Sequence, residues 1–367
     1  MAKSRYSRKV VKSFLRFNFI LPFILSTLFL STAGCGLTYV YHAAKGQYQL
    51  LHDSIPVEEA FAGETLGSEE SDRLRLVALI KSFGEEELGL KKTENYQTVY
   101  LESNRAPMYV LSASPKDRLK QVTWWFPIIG RLSYLPFFDL EEAKKKKEDL
   151  LYKDLDVFMG VADAYSTLGW FKDPVTMNLL EGSTLDLVET ILHEMTHTTL
   201  YFKGEGEFNE GLAVLVGKAG AIEFFQSKYG PFDPLTIEAR KSLADERVFS
   251  SYLDSLLNEL EQLYNSPINH QDKLIQREKI FASFLDRFVE VKAQLQTDYF
   301  THFGIVGLNN AYLMAIGLYH RNFALFDALL KEKNNSVKET IAYLRDISKK
   351  EELGLEWLKN RFKETSP

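Results

Sequence analysis

From position 184 onward apolar residues recur at helical spacing. Leu187, Val188, Ile191, Leu192 and Met195 fall on one face of a helix, and Ser183 followed by Asp186 has the form of a capping box at its start. Residues 235–298 hold two long charged amphipathic stretches around the breaker SPINHQD, a pattern that predicts a helical hairpin. Three further helical segments are expected at 305–331, 336–348 and 350–363. Upstream the period changes. YQTVYLESNRAPMYVLS (96–112) and DVFMGVADAY (156–165) alternate and read as strands. Between them TWWFPIIGRLSYLPFF (123–138) gathers six aromatic side chains around Pro127, Gly130 and Pro136, a turn-broken apolar segment that forms a core wall or lines a pocket. A helix is expected over 39–52, and the acidic stretch from Glu58 to Asp72 reads as a mobile polar connection. The fold class is therefore α+β, mainly α, with a small strand region ahead of a helical C-terminal part.

The N-terminus follows other rules. Lys3, Arg5, Arg8, Lys9, Lys12 and Arg16 precede FNFILPFILSTLFLSTAGCG, and no acidic residue occurs before Asp53. Basic region, apolar region and small residues in that order make a secretory signal. The expected division is 1–34 as export signal, 35–75 as membrane-proximal helix and linker, and 76–367 as the functional body. Cys35 is the only cysteine, so no intramolecular disulfide forms. TAGC resembles a bacterial lipoprotein box, which implies that Cys35 is lipidated and becomes the first mature residue; Thr32 stands where that box carries an aliphatic residue. The alternative is an uncleaved inner-membrane anchor from Phe17 to Ala33, at the short end of the spanning range and interrupted by Asn18 and Pro22. Either way the body lies in the bacterial cell envelope, facing the periplasm. Gly36, where an Asp would retain a lipoprotein in the inner membrane, points to the outer membrane.

The formal charge of −6 understates how acidic that body is, because six basic residues sit in the first sixteen. Nucleic acid is excluded as a partner, since phosphate neutralisation needs clustered Lys and Arg. The run of four lysines at 144–147 sits among Glu141, Glu142, Glu148 and Asp149 and reads as a solvated helix face.

The chemistry concentrates in LHEMTHTTLYFKGEGEFNEGLAVLVG, residues 192–217. His193 and His197 are four apart on the predicted helix, so both imidazoles can offer a neutral nitrogen to one Zn²⁺. Glu194 lies about 100° round from His193. That is too far to ligate, but it suits a general base acting on water at the metal. Two ordinary hydrogen-bonded histidines are the bland alternative. A continuation with Gly at 200 and His at 203 is excluded by Leu200 and Lys203. The third ligand is then a glutamate on the next helix, and FNEGLA supplies Glu210 with Asn209 and Ala213 around it. If the first helix ends near Tyr201, His197 lies about 6 Å from its end, level with the start of an antiparallel partner reached through KGEGE. Glu205 and Glu207 compete for the role, although a helix fixes a carboxylate better than a glycine-flanked loop does.

The same segment resembles a bacterial family described as putative aminopeptidases, in which HE-x-x-H is followed by L-Y-x-x-G and F-N-E. The likeness extends to GCG and YHAAKGQ, WFPIIGRLSY, AYSTLGWFKDPV and LNNAYLMAIGLYHR, and so covers most of the chain after the signal. It implies a zincin-like metallopeptidase core with a glutamate third ligand in an exported, lipid-anchored protein. Here F-N-E continues with GLA, where larger or polar residues are expected in relatives.

A peptidase also needs donors for the oxyanion of the attacked carbonyl. Tyr319 and His320 are candidates, as are Tyr165 and Tyr312, but Leu308, Tyr312, Ala315 and Tyr319 share a helical stripe and can equally be core. Asn309 and Asn310 are either a helix cap or substrate contacts. The segment YSTLGWFKDP either offers an edge strand to an extended peptide or packs through Trp170 and Phe171. An aminopeptidase must hold an α-ammonium, for which Asp163, Asp173, Glu181, Glu205 and Glu207 are at hand, without the Gly-x-Met-x-Asn strand of well-known zinc aminopeptidases. The expectation is a membrane-anchored zinc peptidase trimming the N-termini of short peptides. A zinc endopeptidase, an inactive lipoprotein with a structural metal, and a metal-free scaffold are the alternatives.

Overall fold

The computed structural model describes residues 45–46, 48–63, 66–101, 108–126, 130–162 and 172–363. The export signal, Cys35, Pro127, Asp163, Tyr165, Trp170 and Phe171 lie outside the described residues. The chain divides into two compact units, Met1–His52 and Asp53–Pro367. In the first, residues 45–46 and 48–52 are helical. Among the described residues no helix is long and apolar enough to cross a membrane.

In the second unit the elements follow in the order β1 (Ile55–Pro56), α1 (Val57–Ala62), α2 (Ser68–Glu86), β2 (Thr98–Tyr100), β3 (Met108–Pro115), β4 (Trp124–Phe126), β5 (Gly130–Leu132), β6 (Leu135–Phe137), α3 (Leu140–Tyr152), β7 (Leu155–Ala162), β8 (Val175–Thr176), α4 (Met177–Glu181), α5 (Thr184–Thr199), α6 (Gly206–Tyr229), α7 (Pro234–Asn265), α8 (His270–Lys292), α9 (Asn310–His320), α10 (Phe323–Glu332), α11 (Val337–Ile347) and α12 (Leu355–Lys363). The fold is α+β and mainly helical. The stretch expected to be a mobile linker, Glu58 to Asp72, is instead largely α1 and the start of α2. Its acids are helix-start residues: Glu58 and Glu59 lie in the first turn of α1, Glu69 and Glu70 in that of α2, where the positive end of each helix favours them. Leu74, Val77 and Ile80 then bury the inner face of α2.

The strands form small sheets. β2 lies between β1 and β8, antiparallel to β1 with Ile55 opposite Val99 and parallel to β8 with Val99 opposite Val175. β3 lies between β6 and β7, antiparallel to both, with Leu111 facing Leu135 on one side and Met159 on the other. Its run Leu111–Ser114 is buried on both faces because α3 packs on β3 and α9 also lies against it. β4 and β5 form a hairpin.

α6 is the central helix. It is buried on nearly every side from Phe208 to Ala221, as its continuous apolar run requires. α5 packs along it, with Leu187, Val188, Ile191, Leu192 and Met195 all buried. Two glycines of α6 permit the closeness: a Cβ at Gly217 would come 2.7 Å from the Glu189 carbonyl oxygen, and one at Gly220 2.8 Å from Leu192 Cδ1. The predicted hairpin is present as α7 and α8, capped by Asp233 and Asn269, and its apolar faces make a second core with Phe300, Phe303 and Leu313. The single helix expected at 305–331 is two, α9 and α10. Asn322 between them takes a left-handed φ of 62°, which asparagine tolerates, and its N–H donates to Asp254 at 3.0 Å. The lysines at 144–147 do lie on the outer side of α3, with Lys144 on Glu141 and Lys146 on Asp149.

Candidate metal centre

α5 starts on the expected capping box: Asp186 N–H donates to Ser183 Oγ at 3.0 Å, and Ser183 N–H to Asp186 Oδ2 at 3.1 Å. It ends at Leu200, whose N–H donates to Thr196 O. The reversal into α6 is clasped by one side chain. Asn209 Oδ1 accepts from Phe202 N–H at 2.9 Å and its Nδ2 donates to Phe202 O at 2.8 Å, so the residue before Glu210 is locked to the turn that follows His197. Glu205 caps elsewhere, accepting from Leu355 N–H at 3.1 Å, and Glu207 lies in the first turn of α6.

The result is a triangle of ligand-type atoms. His193 Nε2 is 3.1 Å from His197 Nε2 and 3.2 Å from Glu210 Oε2, and His197 Nε2 is 3.4 Å from the same oxygen. Corners of a tetrahedron around an ion held at about 2.0–2.1 Å are about 3.3 Å apart, so the three atoms have the spacing a shared ion demands. The group could hold a metal ion. Its side chains are only 16%, 3% and 21% exposed, in the order His193, His197, Glu210. Burial pushes the Glu210 carboxyl up, but the two imidazoles more than reverse this and hold it at about 2. Burial also opposes a charge on His197, and the hydrogen bond and charge of Glu210, with Glu194, raise it above the ordinary value. His197 Nδ1 is buried without a hydrogen bond, so the ring is oriented by packing and by the contacts of its Nε2 with His193 and Glu210.

Glu194 stays out of the ligand triangle, as its position on the helix demands. Its Oε2 is buried and has no hydrogen-bond partner. Tyr319 reaches the centre: its ring lies 6.1 Å from that of His193 at 29°. Tyr319 is 38% exposed, and its protein surroundings, then Glu210, push the phenol well above its ordinary value. His320 is not in the ligand group. Its Nδ1 donates to Glu246 at 2.8 Å, and Phe249 and Phe300 flank its ring. Tyr312 packs between Phe158 and Phe303 as a core residue. Asn309 is the cap of α9, accepting from Tyr312 N–H at 2.8 Å. Asn310 is fully buried, bonded to Pro115 O and Tyr264 Oη. Asp173 is buried beside Asn95, and Glu181 ends α4 in an exposed position.

Sequence reasoning missed a charged brace next to the site. Lys218 of α6, buried, donates to Glu189 at 3.1 Å and to Ser242 at 2.8 Å, and lies 3.8 Å from Glu246. Ser242 in turn donates to Glu189 at 2.8 Å. Burial works against the ammonium, but Glu189 and Glu246 hold it charged far above the ordinary range. The signal was available, because Glu189 lies one turn before His193 and Lys218 two turns beyond Glu210 on the same faces. A cleft of about 800 Å³ opens beyond the brace, lined by Asp186, Lys241, Ser242 and Tyr299.

Two antiparallel helices thus bring two histidines and a glutamate to one point, where the group could hold a metal ion, with the unpartnered Oε2 of Glu194 on the same helix as the histidines. The chain belongs to the family described as Putative aminopeptidase, which it matches over residues 38–354. Membership makes it a protein of a peptidase family. No curated protein and no solved structure matches the chain.

Proposed function

We propose that the protein is a zinc-dependent peptidase of the bacterial cell envelope, anchored through Cys35 and removing N-terminal residues from short peptides. The observation that carries the reading is the triangle of His193, His197 and Glu210, with Glu194 on the same helix and its Oε2 buried and unpartnered. Two imidazoles and one carboxylate leaving a position open suit zinc of the catalytic kind. When bound, zinc supplies Lewis-acid activation of water and of the peptide carbonyl. Glu194 then takes a proton from the attacking water at Oε2 and delivers it to the leaving amine, so that water and peptide become an acid and an amine. Tyr319, held neutral by its surroundings, donates to the carbonyl oxygen as charge develops there. His320 supports α9 through Glu246 and the aromatic pair around it.

The test uses the full chain loaded with zinc and a matched pair of peptides, one with a free and one with an acetylated N-terminus. Stepwise trimming of the free peptide alone is expected. Internal cleavage of both at similar rates would make the protein an endopeptidase. Glu194→Gln should keep its zinc by elemental analysis and lose turnover by about 10²–10⁴-fold; a variant as active as the wild type would refute the proton-carrying role.

A further inference from the structure

From Gly211 to Ile222 the helix α6 is apolar except at Lys218, and that one charge is buried. An aliphatic side chain of similar size would bury there without taking an ion out of water, so stability alone does not call for a lysine. What the ammonium does is join helices. Glu189 of α5 and Ser242 of α7 accept hydrogen bonds from it at 3.1 and 2.8 Å, and Ser242 donates on to Glu189 at 2.8 Å. It also lies 3.8 Å from Glu246 Oε2, a buried oxygen with no hydrogen bond of its own, and 4.7 Å from the centre of the Tyr299 ring. Glu246 Oε1 accepts from His320 of α9, the residue after Tyr319. Side chains of α5, α6, α7 and α9 are thus linked through one buried ion cluster, and three of those helices carry His193, Glu210 or Tyr319.

The cluster sits beside the ligand helix pair. A Cβ at Gly217, the residue before Lys218, would stand 2.7 Å from the Glu189 carbonyl oxygen and 3.6 Å from His193 Cβ. The glycine lets α5 and α6 approach, but it does not fix how far one slides or turns past the other. A buried ammonium at 218 paired with a carboxylate at 189 does, because a shift of either helix leaves both ions without a partner. Glu189 is four residues before His193, so holding its carboxylate holds the turn of α5 from which that imidazole projects. We propose that Lys218 is a positioning residue for the metal centre: it sets the register of α5 against α6, and with it the spacing of His193 and Glu210, while Glu246 and His320 tie α9, and so Tyr319, to the same cluster. The inference rests on the metal site of the proposed peptidase and adds to it a residue that touches neither metal nor peptide.

Zinc is spectroscopically silent, so Co²⁺ is the probe, since its visible bands report the geometry of its ligands. Lys218→Met alone strands two carboxylates and can unfold the chain. The deciding variant combines Lys218→Met, Glu189→Gln and Glu246→Gln, which keeps the volume and the acceptors for Ser242 and His320 and removes the charges. In the full chain its Tm should equal or exceed that of the wild type, because no ion has to be buried. Its affinity for Co²⁺ should nonetheless fall by about 10–100-fold, with a shift of the visible bands. Wild-type bands and affinity in the triple variant would overturn the proposal. So would a loss of affinity accompanied by a loss of Tm that accounts for it, which is what general loosening of the fold produces. A wild type that binds no Co²⁺ overturns the proposal together with the metal site. One that binds Co²⁺ and cuts no peptide counts against the peptidase reading alone, and the Co²⁺ comparison still decides for or against Lys218.

Discussion

His193, His197 and Glu210 could be read from the sequence because each owes its place to a local rule: a four-residue step on one helix, and a short reversal into the next. Tyr96 obeys no such rule. Its left-handed φ of 64° leaves no trace in an alternating stretch that reads as strand. The rival ligands are separated by position, Glu205 being engaged with the start of α12. Glu210→Ala should therefore lose the metal, while Glu205→Ala and Glu207→Ala keep it, as elemental analysis will read; metal retained by Glu210→Ala would return the ligand role to one of the other two. Proton competition follows from the same residues. Glu210 is already ionised above about 2, so acidification weakens metal binding through the imidazoles. Because the metal-free His197 is raised above its ordinary value, protons compete from a higher pH than for a free histidine, and affinity rises as pH passes upward through that range. Metal titrations between pH 5 and 8 should show this loss on the acid side, and a flat profile would contradict it.

Helices were easier to predict than their ends and interruptions. α5, α7 and α8 match their expected spans because caps and apolar stripes agree. The α9–α10 break was hidden because Asn322 interrupts a stretch that stays apolar on both sides, and α1 and α2 because their acids resemble a linker. The α5–α6 pair depends on closeness that composition does not reveal. Gly217 sits where a methyl group would meet the Glu189 carbonyl oxygen at 2.7 Å, a backbone atom with nowhere to go. Gly217→Ala should force the helices apart, cost about 1–3 kcal/mol in denaturant unfolding, and weaken metal binding because the ligands belong to both helices. Stability and affinity unchanged from wild type would show that the pair tolerates a wider spacing.

At the scale of the whole molecule, the sequence conveyed the class, strands first and helices after, but not the way two helical cores divide the body. One gathers around α5 and α6, the other around the α7–α8 hairpin, and period alone does not say which stripe meets which. The proposed anchor is a separate matter, since Cys35 lies ahead of the body. Cys35→Ser should abolish lipidation and leave an unprocessed precursor in the membrane fraction, read by mass spectrometry; a wild-type chain that itself begins near Met1 would favour the uncleaved helix. The clasp of Asn209 on Phe202 also bears on the order in which the chain folds. The ligands at the two ends of the constellation, His193 and Glu210, are only 17 positions apart, and the turn joining their helices is pinned by the chain between them. Closing so short a loop loses little chain entropy compared with assembling the core around α5 and α6, whose members run from Ala60 to Leu358. The helical hairpin that carries all three residues can therefore close before the long-range core is assembled, which makes it a local unit of folding in its own right.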